Sequence, residues 1–130
     1  MGYYSDVNLI CKNKAYEEIK KVWEENNLIP NTVKFHKDTN TYVVNWSWIK
    51  WYSCFPEIIA IESTLMSFDE KEPEEYSYKL LCIGEDDQPS EMESPEAYDY
   101  LCDYCISVYV NLAEPEDSYE EIPVEKKKAS

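Results

Sequence analysis

Arginine is absent from this chain, and all twelve of its basic residues are lysine. The absence removes the planar, five-donor fork that matches phosphate and carboxylate groups bidentately. With 27 acidic residues and a net charge of −15, direct binding to a nucleic-acid backbone or an anionic membrane is not expected. An AT-rich coding sequence would account for the missing arginines equally well. Only two glycines occur, too few for a phosphate-cradling loop or a dinucleotide fingerprint. The sole histidine, His36, has no serine or cysteine partner at recognisable spacing, so no catalytic dyad or triad is predicted. No run approaches the ~20 apolar residues of a membrane span, and no basic-then-apolar leader opens the chain. A soluble, cytoplasmic protein is the expectation.

Aromatic residues are plentiful: four tryptophans and twelve tyrosines in 130 residues. The stretch Tyr42–Tyr52, YVVNWSWIKWY, holds three of the tryptophans and reads as a central strand, rich in β-branched and aromatic side chains. Strict alternation puts Tyr42, Val44, Trp46 and Trp48 on one face and Val43, Asn45, Ser47 and Ile49 on the other. Around it the pattern predicts a strand over Tyr3–Cys11 and a helix over Lys14–Asn26 with Asn13 as N-cap. A short strand over Val33–Lys37 follows, turning through Asp38-Thr39-Asn40 into the tryptophan strand. Ser53 can cap a second helix whose apolar stripe is Ile58, Ile61, Leu65 and Phe68. Asp69–Glu75 reads as a polar connection, Tyr76–Ile83 as a fourth strand, Gln88–Pro95 as a loop and Pro95–Asp103 as a short acidic helix. Cys105–Leu112 reads as the last strand.

The order β-α-β-β-α-β predicts an α+β fold: a ferredoxin-like antiparallel sheet with helices on one face and an added C-terminal strand. A single domain over 1–112 and an acidic, disordered tail over 113–130 are expected.

Charge is unevenly placed. Residues 1–79 carry nine lysines and thirteen acids, whereas residues 80–130 carry fourteen acids and only three lysines. From Leu80 to Pro123 there is no basic residue. The default meaning of such a run is a solvated face; the sharper one is an acidic surface with a partner.

Three motifs carry a resemblance: MGYYSDV at the start, IKWY at Ile49–Tyr52 followed by Pro56-Glu57, and IGED at Ile83–Asp86. In these the chain resembles a family of small, largely uncharacterised proteins encoded by bacteriophages and other mobile elements. The arginine usual in that family before IGED is Cys82 here. The resemblance implies an accessory phage protein acting in the host cell and implies no established activity.

Five cysteines are present, and Cys102 and Cys105 form a C-x-x-C. Structural thiols are the plain reading; a tetrahedral zinc site needs four ligands, so the two strand cysteines, Cys11 and Cys82, would have to converge on the pair. Redox chemistry is disfavoured by Asp99 and Asp103, which raise thiol pKa values. Glu85-Asp86-Asp87 after Gly84 reads as a solvated turn, since it lacks the spaced ligands of a calcium loop. No metal, cofactor or catalytic residue is predicted.

The leading expectation is a non-enzymatic inhibitor of a host nucleic-acid-binding defence factor, of anti-CRISPR or anti-restriction type. Its carboxylates would imitate phosphates in a basic groove. The expected contacts are Glu85, Asp86, Asp87, Glu91, Glu93, Glu96 and Asp99, with Trp51 and Tyr52 as aromatic anchors. Tyr42, Trp46, Tyr78 and Tyr109 are further candidates for an open, aromatic sheet face. The alternatives are a small-molecule or divalent-metal site between Lys50 and Asp87, or a structural homo-oligomer built on that sheet face.

Overall fold

A computed structural model describes residues 4–36, 40–52, 54–84, 89–95, 97, 101 and 119–122. The chain runs β1 (Ser5–Lys12), α1 (Asn13–Glu25), β2 (Thr32–His36) and β3 (Thr41–Ile49). It continues through α2 (Pro56–Ser67), a 3-10 turn (Phe68–Glu70), α3 (Pro73–Tyr76), β4 (Tyr78–Gly84), β5 (Pro89–Glu93) and β6 (Tyr119–Ile122). The sheet order is β5-β4-β1-β3-β2-β6, with every pairing antiparallel. Its central β4-β1-β3-β2 is the ferredoxin-like order. β1 and β2 run the same way with β3 inserted between them, which a helical crossover such as α1 permits.

Local chemistry sets the helix ends. α1 buries Ala15, Tyr16, Ile19 and Trp23 on one stripe. Its exposed positions Lys14, Glu17, Lys20, Lys21 and Glu25 are all charged. Asn27 takes a left-handed φ of 57° just past its end, a conformation asparagine tolerates. The predicted cap is off by one: Lys12 occupies the N-cap position and its side chain makes no capping bond. α2 starts on Pro56, whose missing N–H would find no partner in a first turn anyway. Its N-cap is Phe55, in place of the expected Ser53, which lies outside the described residues.

The main core lies between the sheet and the helices. Trp46 is 1 % exposed, its Nε1 donates to the Leu28 carbonyl at 2.9 Å, and its ring meets Trp23 edge-on at 5.7 Å. Tyr42 stacks on Tyr16 of α1 at 3.8 Å, and Tyr78 is buried beside Phe68 with its hydroxyl donating to Asp69. The expectation that Tyr42, Trp46 and Tyr78 decorate an uncovered sheet face is therefore corrected. They face the helices, because large rings gain most where two layers close over them. The opposite face carries a second apolar cluster of Ile10, Leu81, Ala97 and Leu101, with Val43 and Ile83 packed against it.

Two further differences concern the acidic half. Pro89–Glu93, within the stretch expected to be a loop, is an edge strand paired with β4. Proline at its first position suits an edge, where no ladder donor is required. Within the segment expected to be a disordered tail, Tyr119–Ile122 forms β6 against β2. The strand expected at Cys105–Leu112 lies outside the described residues.

Replacing Trp46 by phenylalanine keeps a ring in the core but strands the Leu28 carbonyl. A loss of roughly 1–3 kcal/mol in urea unfolding is expected, and a loss below about 0.5 kcal/mol would show that this bond does little.

Candidate interaction site at one end of the sheet

Three chain segments meet where β1 begins and where β3 and β4 end. Ser5 lies opposite Ile49 on one side and opposite Gly84 on the other. The described parts of MGYYSDV, IKWY and IGED thus come together at one end, though they are spread over some eighty residues of sequence.

An irregularity in β3 shapes this end. Val7 pairs with Trp46, yet Ser5 pairs with Ile49, so β3 carries one residue more than β1 across the same interval. The extra residue makes a β-bulge, and Trp48 sits in it at φ 54°. A left-handed conformation costs a non-glycine residue about 1–2 kcal/mol. The bulge reverses the alternation. Ile49 packs on the main core, Trp51 is buried, and Trp48 is thrown outward, 66 % exposed. Its indole stacks on Tyr4 at 5.1 Å with 7° between planes, and the Lys50 ammonium lies 5.6 Å from the Tyr4 ring centre.

Beside this aromatic pair lies a polar cluster on the face away from the helices. Asn45 Nδ2 reaches three acceptors: Asn8 Oδ1 at 3.1 Å, and Asp6 Oδ1 and the Val7 carbonyl at 3.3 Å each. The Ser47 hydroxyl donates to Asn45 Oδ1 at 2.6 Å, and the Ser47 backbone N–H donates to Asn31 Oδ1 at 2.7 Å. Asn8 is 3 % exposed, and its Nδ2 has no hydrogen-bond partner. A buried donor left unpaired costs about 1–3 kcal/mol, which sets Asn8 apart from the satisfied polar groups around it.

The expected contact residues are distributed differently. Trp51 is corrected as an exposed anchor. It is 9 % exposed, its Nε1 donates to Glu62 Oε2 at 3.2 Å, and its ring lies 5.2 Å from Trp46. Tyr52 is half-buried, edge-on to Phe55 at 5.0 Å. Glu91 and Glu93 are exposed on β5, and both approach the Lys79 ammonium, at 3.1 and 3.5 Å. Glu85, Asp86, Asp87, Glu96 and Asp99 lie outside the described residues, as do Tyr109, Cys102 and Cys105. Of the other cysteines, Cys11 is buried and its thiol pKa is pushed up by burial. The Cys82 thiol is pushed up to about 12 by burial, with the Glu62 carboxylate adding to the effect. Both are neutral, unreactive thiols at physiological pH; Cys54 is exposed. Among the described residues, no group of three or more His, Cys, Asp or Glu is placed to hold a metal ion. No described helix is long and apolar enough to cross a membrane.

No family model, curated protein or solved structure matches this chain.

Trp48, Tyr4, Asn8 and Asn45 were not among the expected contact residues, although Tyr4 lies in MGYYSDV and Trp48 in the tryptophan strand. One signal in β3 could have found Trp48. Strict alternation puts Ile49 on the polar face and Lys50 toward the core, a conflict that an extra residue before Ile49 removes.

Two measurements probe this end. Trp48→Gly and Trp48→Ala both delete the indole, but only glycine relieves the backbone. The glycine variant is expected to be more stable by roughly 0.5–1 kcal/mol, against the usual strand preference; the reverse order would show that the positive φ carries no cost. Asn45→Val alone is expected to cost about 1–3 kcal/mol, because it strips the donor from three acceptors. Pairing it with Asn8→Val removes the orphaned donor and one of those acceptors, and recovers most of that loss in chemical denaturation.

Proposed function

We propose that this chain is a non-enzymatic binding protein that occupies a basic groove of a partner protein. In the phage setting implied by its motifs, the partner is a host nucleic-acid-binding defence factor of the anti-CRISPR or anti-restriction target class. The observation that carries this reading is the charge distribution: fourteen acids against three lysines after residue 79, with no cation from Leu80 to Pro123. Closely spaced carboxylates can stand in for phosphates at a lysine- and arginine-lined channel, and opposite fields speed encounter. Glu91 and Glu93 share one ammonium, so a net negative charge remains on that face.

The fold supports the reading in a second way. The sheet end where Ser5 pairs with Gly84 and Ile49 presents the exposed Trp48 indole. An exposed, pre-stacked ring suits a partner's arginine or lysine through cation–π contact. The aromatic anchor in this proposal is Trp48 on Tyr4, in place of Trp51.

Binding to a CRISPR effector nuclease or a restriction endonuclease, each free of nucleic acid, tests the proposal by fluorescence anisotropy. Affinity should fall steeply as salt rises, the complex should exclude DNA, and Trp48→Ala should weaken binding by about tenfold. An affinity unchanged between low and high salt would remove the mimicry argument.

A second reading is favoured by one observation, the unpartnered Asn8 Nδ2 inside the Asp6–Asn45–Ser47 cluster. A small ligand bearing an acceptor would satisfy it. A thermal-shift screen of nucleosides and divalent cations separates the two readings, since a ligand specific for the folded state raises the melting temperature.

A further inference from the structure

The acceptors of the Asp6–Asn8–Asn45–Ser47 cluster fix the direction of every hydrogen bond in it. A carboxylate and a backbone carbonyl can only accept. The Asn45 atom 3.3 Å from both Asp6 Oδ1 and the Val7 carbonyl is therefore its amide nitrogen. The Asn8 atom 3.1 Å from that nitrogen must then be an oxygen, and the Ser47 hydroxyl donates to the Asn45 oxygen at 2.6 Å. Turning the Asn8 amide over would set nitrogen against nitrogen. Its amino group is held on the far side, where no acceptor among the described residues meets it, and Asn8 is 3 % exposed. Buried side-chain donors are ordinarily satisfied. This one asks for an acceptor that these residues do not supply.

The same sheet face carries the aromatic pair. Tyr4, just before β1, and Asp6 and Asn8 within it are alternate residues, spaced about 7 Å per step. Between the Val7–Trp46 and Ser5–Ile49 pairs, Asp6 stands opposite Ser47 and Trp48. The exposed indole, resting on Tyr4, thus borders the carboxylate, and Asn8 lies one step further in. Burial rises along this path: Ser47 is exposed, Asp6 and Asn45 are half-buried, and Asn8 is sealed.

We propose, resting on the second reading above and not on the basic groove, that this end of the sheet binds an uncharged nucleoside. Its base stacks on Trp48 and its edge meets Asn8 and Asp6. Three features select this ligand. An exposed indole stacks any planar base, whatever its substituents. An amide N–H beside a carboxylate offers one donor and one acceptor, which complements adjacent acceptor and donor atoms on a base edge. Asparagine reads adenine, and aspartate cytosine, with these same groups. Asp6, in a chain of net charge −15, repels phosphate, so the nucleoside fits and the nucleotide does not. Entry needs only Asp6 to turn. Asn45 Nδ2 has two hydrogens for three acceptors, so Asp6 can leave it for the base amino group without stranding a donor.

The test is an NMR titration of the full chain with adenosine, cytidine, guanosine and uridine, at low and at high salt, following the Asn8 side-chain amide. Saturable binding of at least one nucleoside is expected, with the Asn8 amide resonance displaced and the affinity unchanged by salt. Its 5′-monophosphate should bind about tenfold more weakly at low salt. Trp48→Ala, at an exposed site, and Asn8→Val, which removes the orphaned donor, should each weaken binding by about tenfold. A melting temperature unchanged or raised confirms that both variants fold. If acetamide displaces the Asn8 resonance and no nucleoside does, this inference falls and the second reading stands. If neither displaces it, the amide meets an ordered water only and both fall. Nucleoside binding indifferent to Trp48→Ala, or to the added phosphate, also overturns the proposal.

Discussion

A pleated strand sends successive side chains to opposite faces, so one extra residue reverses every inward and outward assignment beyond it. β3 contains such a residue, and much of the molecule follows from where it falls. Before the bulge, Tyr42, Val44 and Trp46 build the layer under the helices. After it, Ile49 and Trp51 continue that layer and Lys50 reaches solvent. Without the bulge Lys50 would face the core, where an unpaired ammonium is not tolerated. The cost is concentrated at Trp48, held in a left-handed conformation with its indole exposed on Tyr4. Strain of this kind persists only where the surrounding contacts over-determine it. Here the antiparallel register on both sides of β1 does so.

Charge is distributed unevenly along the chain. α1 and the connection after α2 carry mixed charge, with exposed pairs Lys14–Glu75 at 3.1 Å and Lys71–Glu18 at 3.4 Å. Such pairs contribute little to stability, about 0–1 kcal/mol, and serve mainly to balance the field locally. Beyond Lys79 that balance stops. After it come fourteen acids and three lysines, and a charge imbalance of this kind bears on solubility and association more than on fold.

The strand and helix order was legible because its signals are periodic. α1 shows apolar residues at helical spacing, the turn around Asp38–Asn40 separates two β-rich runs, and Pro56 marks the start of α2. The ferredoxin-like arrangement followed from the β-α-β-β-α-β order. Less legible were features that depend on partners distant in sequence. Pro89–Glu93 is short and polar, and it becomes a strand because β4 offers an edge to pair with. β6 likewise owes its existence to β2 rather than to its own composition. In the candidate site, aromatic richness was visible but its direction was not. Trp51 and Trp48 are three residues apart, and a bulge decided which is buried. The asparagine cluster left no trace, since Asn8 and Asn45 become neighbours only through the β1–β3 register.

The β2–β6 ladder joins Val33 to Ile122, and the β1–β4 ladder joins Ser5 to Gly84. Each closes a long loop of chain whose entropy must be surrendered before any contact rewards it. The β2–β3 hairpin and α1 close short loops. β6 is four residues long and pairs across the longest of these loops, so its contacts stand against the largest closure entropy. The edge of β2 is therefore where the sheet gains least for the freedom it surrenders, and where loss of β6 would leave an unpaired strand.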